Sequence, residues 1–393
     1  MRAPASRMDP RVYVLGLASF AVGTGTYVYV GLLEPLGADL GVSIQRAGLL
    51  ATAFAWVYAV AAPVLATWLV RMEPKRIVCG ALTTLGVLNA AVFLTSSFAE
   101  LLVIRILCAL GAAALIPTAS VYAASMVGAR FRGAALAVVL GGISVSLVVG
   151  APLGTLIGAY TGWRGCFGFA AVLLGVAAIA SAARLPVRGA FAGPSTRGKL
   201  KVSRALVMYW TITVLAFAAA FSVVAFIGPT VTALTGLTGA WVSAFQLALG
   251  FGGVAGVALG GVLSDGKSVQ RRIRGLCIAL GLSQLGLAAL SVLPGSPSIS
   301  IGGTLLGLVG GALCLFSLSP IIQRQLVETA GEHATGALAL NGSMVYAGQG
   351  LGAALGGLAS ASGGTGAAAV AGAACALVGA LVIRDSMSVP SVE

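Results

Sequence analysis

The chain has 393 residues, of which 59% are hydrophobic and only 8% charged, and its mean hydropathy is +1.03. A soluble domain carries about 25% charged residues to keep its surface wet, so this composition excludes a water-soluble fold. The net charge of +13 does not imply a nucleic-acid partner, because the basic residues stand singly at the ends of apolar runs and build no basic face.

Fifty-six glycines would weaken a soluble fold, but in lipid small residues let helices approach closely where no hydrophobic force drives them together. The six cysteines, Cys79, Cys108, Cys166, Cys277, Cys314 and Cys375, lie far apart with no CxxC spacing and read as buried free thiols. Arg2, Arg7 and Arg11 precede an apolar stretch too long for a signal peptide, which is expected to stay as the first helix.

About 20 apolar residues cross a bilayer core. On that length the predicted spans are 12–36, 46–70, 77–96, 98–126, 132–158 and 163–183, then 205–235, 240–264, 273–294, 298–323, 334–361 and 364–383. With the N-terminus cytoplasmic, Arg46 and Arg164 are the only cations in outer loops, Arg105 lies inside a span, and the other 20 of the 23 Lys and Arg face inward. The chain is therefore expected to sit in the inner (cytoplasmic) membrane with both termini cytoplasmic.

Residues 184–204 form the one long polar segment, with Arg188, Arg197, Lys199, Lys201, Arg204, Pro186 and Pro194, and read as a cytoplasmic linker. It separates a bundle of residues 1–183 from one of residues 205–393. Gly150-Ala151-Pro152-Leu153-Gly154 in span five recurs as Gly352-Ala353-Ala354-Leu355-Gly356 in span eleven, and the loop Arg71 to Arg76 matches Asp265 to Arg272. The expected architecture is an all-α membrane protein of twelve transmembrane helices in two pseudo-symmetric six-helix bundles. Repeats related along the membrane normal are how the major facilitator fold is built.

The segment Gly142 to Gly158, ending Gly150-Ala-Pro-Leu-Gly154-Thr-Leu-Ile-Gly158, resembles the span-five antiporter motif of the major facilitator superfamily. The likeness is narrower still to its twelve-helix drug/proton antiporter branch, which includes bacterial sugar, purine-nucleoside and chloramphenicol exporters. Gly150, Gly154 and Gly158 leave a bare stripe on one helix face, and Pro152 removes a backbone donor and favours a bend. The resemblance implies that this segment packs between the halves and seals the outer side. The bland alternative is ordinary GxxxG packing, since similar stripes stand at Gly252, Gly256, Gly260 and at Gly348, Gly352, Gly356.

Arg105, followed by Gly111 and Ala114, is similar to the family's span-four motif, in which a buried arginine is linked to proton transfer. A guanidinium in lipid costs several kcal/mol unless paired, so Arg105 needs a partner inside the bundle. Glu34 is the most embedded of ten acidic residues, and is both the expected partner and the expected proton carrier. Its alternative role is a headgroup-level carboxylate beside Pro35.

The loop after span two departs from the family's gate motif: Ala66 and Val70 replace its glycine and aspartate, while Arg71, Lys75 and Arg76 are kept. In the second half Gly261 and Asp265 keep that spacing with Arg271 and Arg272 downstream, so an inner charge latch is expected there, unless these cations only set topology. Family resemblance places helices one, four, seven and ten along the cavity and two, five, eight and eleven beside it. Candidate substrate contacts are then Tyr27, Trp56, Tyr58, Phe217, Phe221, Gln246, Asn341 and Tyr346, with Thr26 nearby. Aromatics with a few hydrogen-bonding groups suit a neutral or amphipathic solute, and each residue alone could equally be packing.

No GxxxxGK[ST] loop is present, so transport would be secondary. The single histidine, His333, lacks further ligands for a metal, and the Asn341-Gly342-Ser343 sequon lies within a span. No cofactor, metal or enzymatic constellation is expected. The sequence reads as a monomeric secondary transporter exporting a small organic solute against protons. An uncoupled facilitator or importer, and a non-transporting membrane sensor, stand as alternatives.

Overall fold

The computed structural model describes residues 8–69, 71–187, 201–265, 268–293 and 295–383. Most of the polar segment expected as a linker, and with it Arg188, Arg197 and Lys199, lies outside the described residues. Among the described residues every regular element is helical, and ten stretches are long and apolar enough to cross a membrane. The last of these, Pro297–Val382, runs for 86 residues. It is interrupted by a 3-10 turn at Gly331–His333 and by non-helical backbone at Gly363 and Gly364, the latter at φ 67°. Those interruptions fall where loops are predicted on either side of span eleven.

By packing, the chain divides into two compact units: Met1–Ser195 with Leu237–Leu247, and Thr196–Gly236 with Ala248–Glu393. The first holds the spans Val12–Asp39, Ile44–Leu69, Pro74–Leu94, Phe98–Met126, Arg132–Thr161 and Trp163–Arg184. The second begins with Arg204–Val224 and Ile227–Thr235, and includes the helices Val269–Leu290 and Pro297–Ala330. The start of the eighth span, Leu237–Leu247, packs with the first unit, which differs from a simple division at the linker.

Helix ends follow local chemistry. The Ser97 hydroxyl accepts from the Glu100 N–H at 3.3 Å in a capping box that opens span four, and Pro74 and Pro297 stand at first-turn positions where a missing N–H costs nothing. Hydropathy underestimates helix length wherever a polar turn extends past the lipid. Helix Pro297–Ala330 has 34 residues, about 51 Å at 1.5 Å per residue, against a hydrocarbon core of about 30 Å.

Three departures from regular helix shape the candidate site. Span one is broken: its helix Val12–Tyr27 gives way to a 3-10 turn, Val30–Leu32, before resuming as Leu33–Asp39. Span seven is broken in the corresponding place, between Arg204–Val224 and Ile227–Thr235, and Pro229 follows this break as Pro35 follows the first. The bend expected at Pro152 takes the form of a π-helical turn, Ser146–Gly150, directly before it. Proline has no N–H to give to the preceding turn, and the wider π register absorbs that loss.

Candidate functional site

A helix that stops leaves its last carbonyls without partners. In span one the Val28 N–H still donates to the Thr24 carbonyl at 2.9 Å, but the Gly25 and Thr26 carbonyls reach into the bundle, where Arg105 meets them. Its Nη1 donates to Gly25 at 2.9 Å and its Nη2 to Thr26 at 2.8 Å. The guanidinium is 1% exposed and lies between two rings, its central carbon 4.6 Å from the centroids of both Tyr29 and Phe54. A cation at the negative end of a helix dipole, forked onto two carbonyls and stacked on both faces, is compensated by these contacts, and no counter-ion pairs with it among the described residues.

This corrects the expected pairing. The partners of Arg105 are backbone carbonyls rather than the Glu34 carboxylate, and Glu34 is half-buried farther along the span, in the helix Leu33–Asp39. The carbonyls were not foreseen because the break that frees them leaves no mark in hydropathy.

From Arg105 a ladder of rings runs both ways. On one side Phe54 leads to Tyr58, ring centroids 6.5 Å apart. On the other, Tyr29 stacks on Phe167 at 5.8 Å, and Phe167 meets Trp163 edge-on at 6.1 Å. The Trp163 indole donates to Asp39 at 3.1 Å. Asp39 is paired with Arg164 at 2.6 Å, and Arg164 also donates to the Thr95 carbonyl at 3.0 Å and lies 4.2 Å from the Trp163 ring centroid. A clasp at one end of the unit thus joins the ends of spans one, three and six. Arg164 was read as an outer-loop cation, and its 125-residue separation from Asp39 hid the pair.

The glycine stripe of span five also has a definite partner. A methyl on Gly150 would stand 2.0 Å from Thr24 Oγ1, on Gly154 2.0 Å from Val28 Cγ2, and on Gly158 2.2 Å from Leu32 Cδ1. Span five therefore packs backbone-close along span one within the first unit, across the break, with Pro152 buried beside the π turn. Gly31 stands where a Cβ would lie 2.5 Å from Thr155 Oγ1 and 3.1 Å from Gln246 Nε2, which places Gln246 in the same unit.

In the second unit Asp265 has an ion-pair partner, but it is neither of the two cations expected. Asp265 pairs with Arg324 of the tenth span, and Arg324 Nε reaches Glu328 at 2.8 Å. Gln325 donates to Glu328 at 2.9 Å and accepts from the Tyr209 hydroxyl at 3.0 Å, so the network extends from span eight through span ten to span seven. Of the two expected cations, Arg271 and Arg272, the second donates to the Leu263 and Asp265 backbone carbonyls instead. Among the described residues no atom approaches a Cβ on Gly261 within 4 Å, so none of them requires that glycine by close packing. In the first unit Arg71 is exposed, and Arg76 pairs locally with Glu73 at 2.8 Å.

Of the candidate substrate contacts, Tyr27, Tyr58, Phe217, Phe221, Gln246 and Asn341 are buried and Tyr346 half-buried. Trp56 is 44% exposed, on the outer face of its helix away from the buried Phe54 and Tyr58, which separates it from them. Phe217 and Phe221 lie with centroids 6.3 Å apart. Phe217 and Asn341 line a small cavity with Thr213 and Ser319, where the Thr213 hydroxyl donates to Asn341 Oδ1 at 2.9 Å.

Broken apolar helices whose termini are held by buried polar side chains define a multi-pass membrane transporter. Comparison with known proteins supplies the family. The sequence profile of the Major Facilitator Superfamily matches residues 15–338, and the chain belongs to that superfamily. It is 34% identical over 352 residues to a chloramphenicol resistance protein of Streptomyces lividans, covering 88% of this chain and 86% of the relative. It is 31% identical over 349 residues to the inner membrane transport protein YdhP of Escherichia coli K12, covering 87% of each. Among solved structures, a peptide transporter, POT, superposes with a TM-score of 0.75 at 16% identity over 95% of this chain and 93% of that one. An inward-facing bacterial homolog of the lysosomal transporter Spinster gives 0.73 at 14% identity, covering 95% and 93%. These structures share the fold.

Proposed function

We propose that the chain exports a small neutral or amphipathic organic solute in exchange for protons, by alternating access of halves 1–183 and 205–393 across the inner membrane. The observation that carries this reading is the 34% identity to a chloramphenicol resistance protein along nearly the whole chain, since loss of an antibiotic from the cell is a direct route to resistance. The π turn beside Pro152 in span five, packed on the broken first span, supports it, because helices kink at π turns and prolines. In this reading Tyr27, Tyr58, Phe217, Phe221, Gln246, Asn341 and Tyr346 contact solute, Glu34 carries the proton, and Arg105 fixes span one. The protein works as a monomer with both termini cytoplasmic.

One observation favours an uncoupled facilitator as the second reading: Arg105 is neutralised by carbonyls, so no carboxylate proton is tied to it directly. Proton flux in proteoliposomes with a pH-sensitive dye separates the two. Chloramphenicol and a panel of sugars, nucleosides and amphipathic antibiotics are tested on wild type and Glu34→Gln. Antiport requires a solute that dissipates the gradient in wild type and not in the variant. Solute movement with no proton flux, or normal coupling in Glu34→Gln, leaves the facilitator or another proton carrier.

A further inference from the structure

Arg105 makes only part of its bonding capacity explicit. Nη1 and Nη2 hold the Gly25 and Thr26 carbonyls, but its Nε–H is buried with no hydrogen-bond partner among the described residues. On span three, Asn89 is 2% exposed. Its Nδ2 donates to the Leu85 carbonyl at 2.8 Å and to Cys108 Sγ at 3.8 Å, while its Oδ1 is likewise buried and without a partner. Both side chains line one cavity of about 10 Å³, walled otherwise by Val22, Phe54, Leu174 and their neighbours and bordered by Cys108. That volume is about what a single water needs, and a water needs polar partners of the kind found here.

We infer that this cavity is a binding site for one water molecule, which accepts from Arg105 Nε and donates to Asn89 Oδ1. The donor and acceptor are complementary and leave no buried polar atom of either side chain unanswered. Asn89 is thereby a positioning residue: acting through the water, it holds the guanidinium in the orientation that caps the broken first span.

The second unit supplies a comparison. Gln284 on span nine is 3% exposed and donates from Nε2 to the Ala219 carbonyl of span seven at 2.7 Å. Ala219 stands ten residues before Pro229, as Gly25 stands ten before Pro35. In that unit the longer amide reaches the carbonyl itself. In the first, the amide is shorter by one methylene and an arginine takes the carbonyl, which leaves the intervening space for water.

Hydroxyl-radical footprinting by synchrotron pulse tests the site, because radicals formed from a bound water oxidise the nearest side chain however deeply it is buried. Cys108 borders the cavity and is 2% exposed, and Cys166 and Cys277, at 0% and 1%, are controls equally shielded from bulk solvent. Cys108 is expected to be labelled several-fold faster than either control. Equal rates at the three thiols overturn the water. The positioning role is read from wild type, Asn89→Ala, which opens room for a second water in place of the amide, and Asn89→Leu, which keeps the amide's branched shape but turns methyls to the cavity and offers no acceptor. Asn89→Leu is expected to bring Cys108 down to the control rate and to shift the pH profile of solute flux, with Asn89→Ala less affected. If Asn89→Leu folds, loses the labelling and keeps the wild-type pH profile, Asn89 does not position Arg105. The labelling does not depend on the transported solute, so its failure is distinct from failure of the antiport reading.

Discussion

Arg105 Nη1 lies 2.9 Å from the Gly25 carbonyl, on a residue 80 positions away, and with the Nη2 bond to Thr26 it ties the fourth span to the end of a helix that stops inside the bundle. A lysine keeps the charge but has neither the fork for two carbonyls nor the plane that stacks between Tyr29 and Phe54. Arg105→Lys is therefore expected to cost about 2–4 kcal/mol, from a lost charged hydrogen bond and cation–π contact. Solute flux should fall to background in proteoliposomes. Thermal unfolding in detergent and the flux assay check both parts, and a lysine variant with wild-type melting and flux would remove the cap from the mechanism.

The glycines of span five separate into those that touch span one and those that do not. A methyl at Gly150 would lie 2.0 Å from Thr24 Oγ1, whereas nothing comes within 4 Å of one at Gly141, earlier in the same span. Gly150→Ala should destabilise by about 1–3 kcal/mol, the usual cost of overpacking. Gly141→Ala should be neutral or stabilise by about 0.5–1 kcal/mol, the usual gain at an unconstrained helix interior. Parallel melting curves decide it, and equal effects at the two sites would show that the stripe is not a close helix contact.

What could be read in advance follows from how far each feature's cause is spread along the chain. The spans were legible because twenty neighbouring residues share one property, and the stripe at Gly150, Gly154 and Gly158 because its spacing is local. Need for a partner at Arg105 was legible from the cost of a charge in lipid, but its identity was not, since the freed carbonyls carry no sequence signal. Pro35 after the break and Pro229 after its counterpart were the available hint. The ion pair of Asp265 was expected with Arg271 or Arg272, yet the partner, Arg324, is 59 positions on, where only the packing of spans eight and ten brings it near.

Because Asp265 and Arg324 are both well exposed, their pair should contribute to the timing of the transport cycle far more than to stability. Asp265→Asn and Arg324→Gln are each expected to leave the melting temperature nearly unchanged and to alter the solute flux rate. Combining them should do no more than the stronger single change, the mark of residues acting as one unit. Arg272→Gln serves as the contrast, with an effect that adds to that of Asp265→Asn. Full additivity between Asp265 and Arg324 would mean that the pair is no latch.

Asn341 poses a choice between glue and solute contact. Its Oδ1 already accepts from the Thr213 hydroxyl at 2.9 Å, and it is 6% exposed. Thr213→Val keeps the shape of the side chain and strips the acceptor of its donor, so it should destabilise by about 1–3 kcal/mol, the cost of an unsatisfied buried group. Thr213→Val combined with Asn341→Leu, which removes both partners, should recover part of that loss. The amide Nδ2 stays available to a solute in Thr213→Val and is gone in Asn341→Leu. If Asn341 contacts solute, Asn341→Leu raises the KM for flux while Thr213→Val leaves it near wild type. Equal KM values in the two variants would assign Asn341 to helix packing alone.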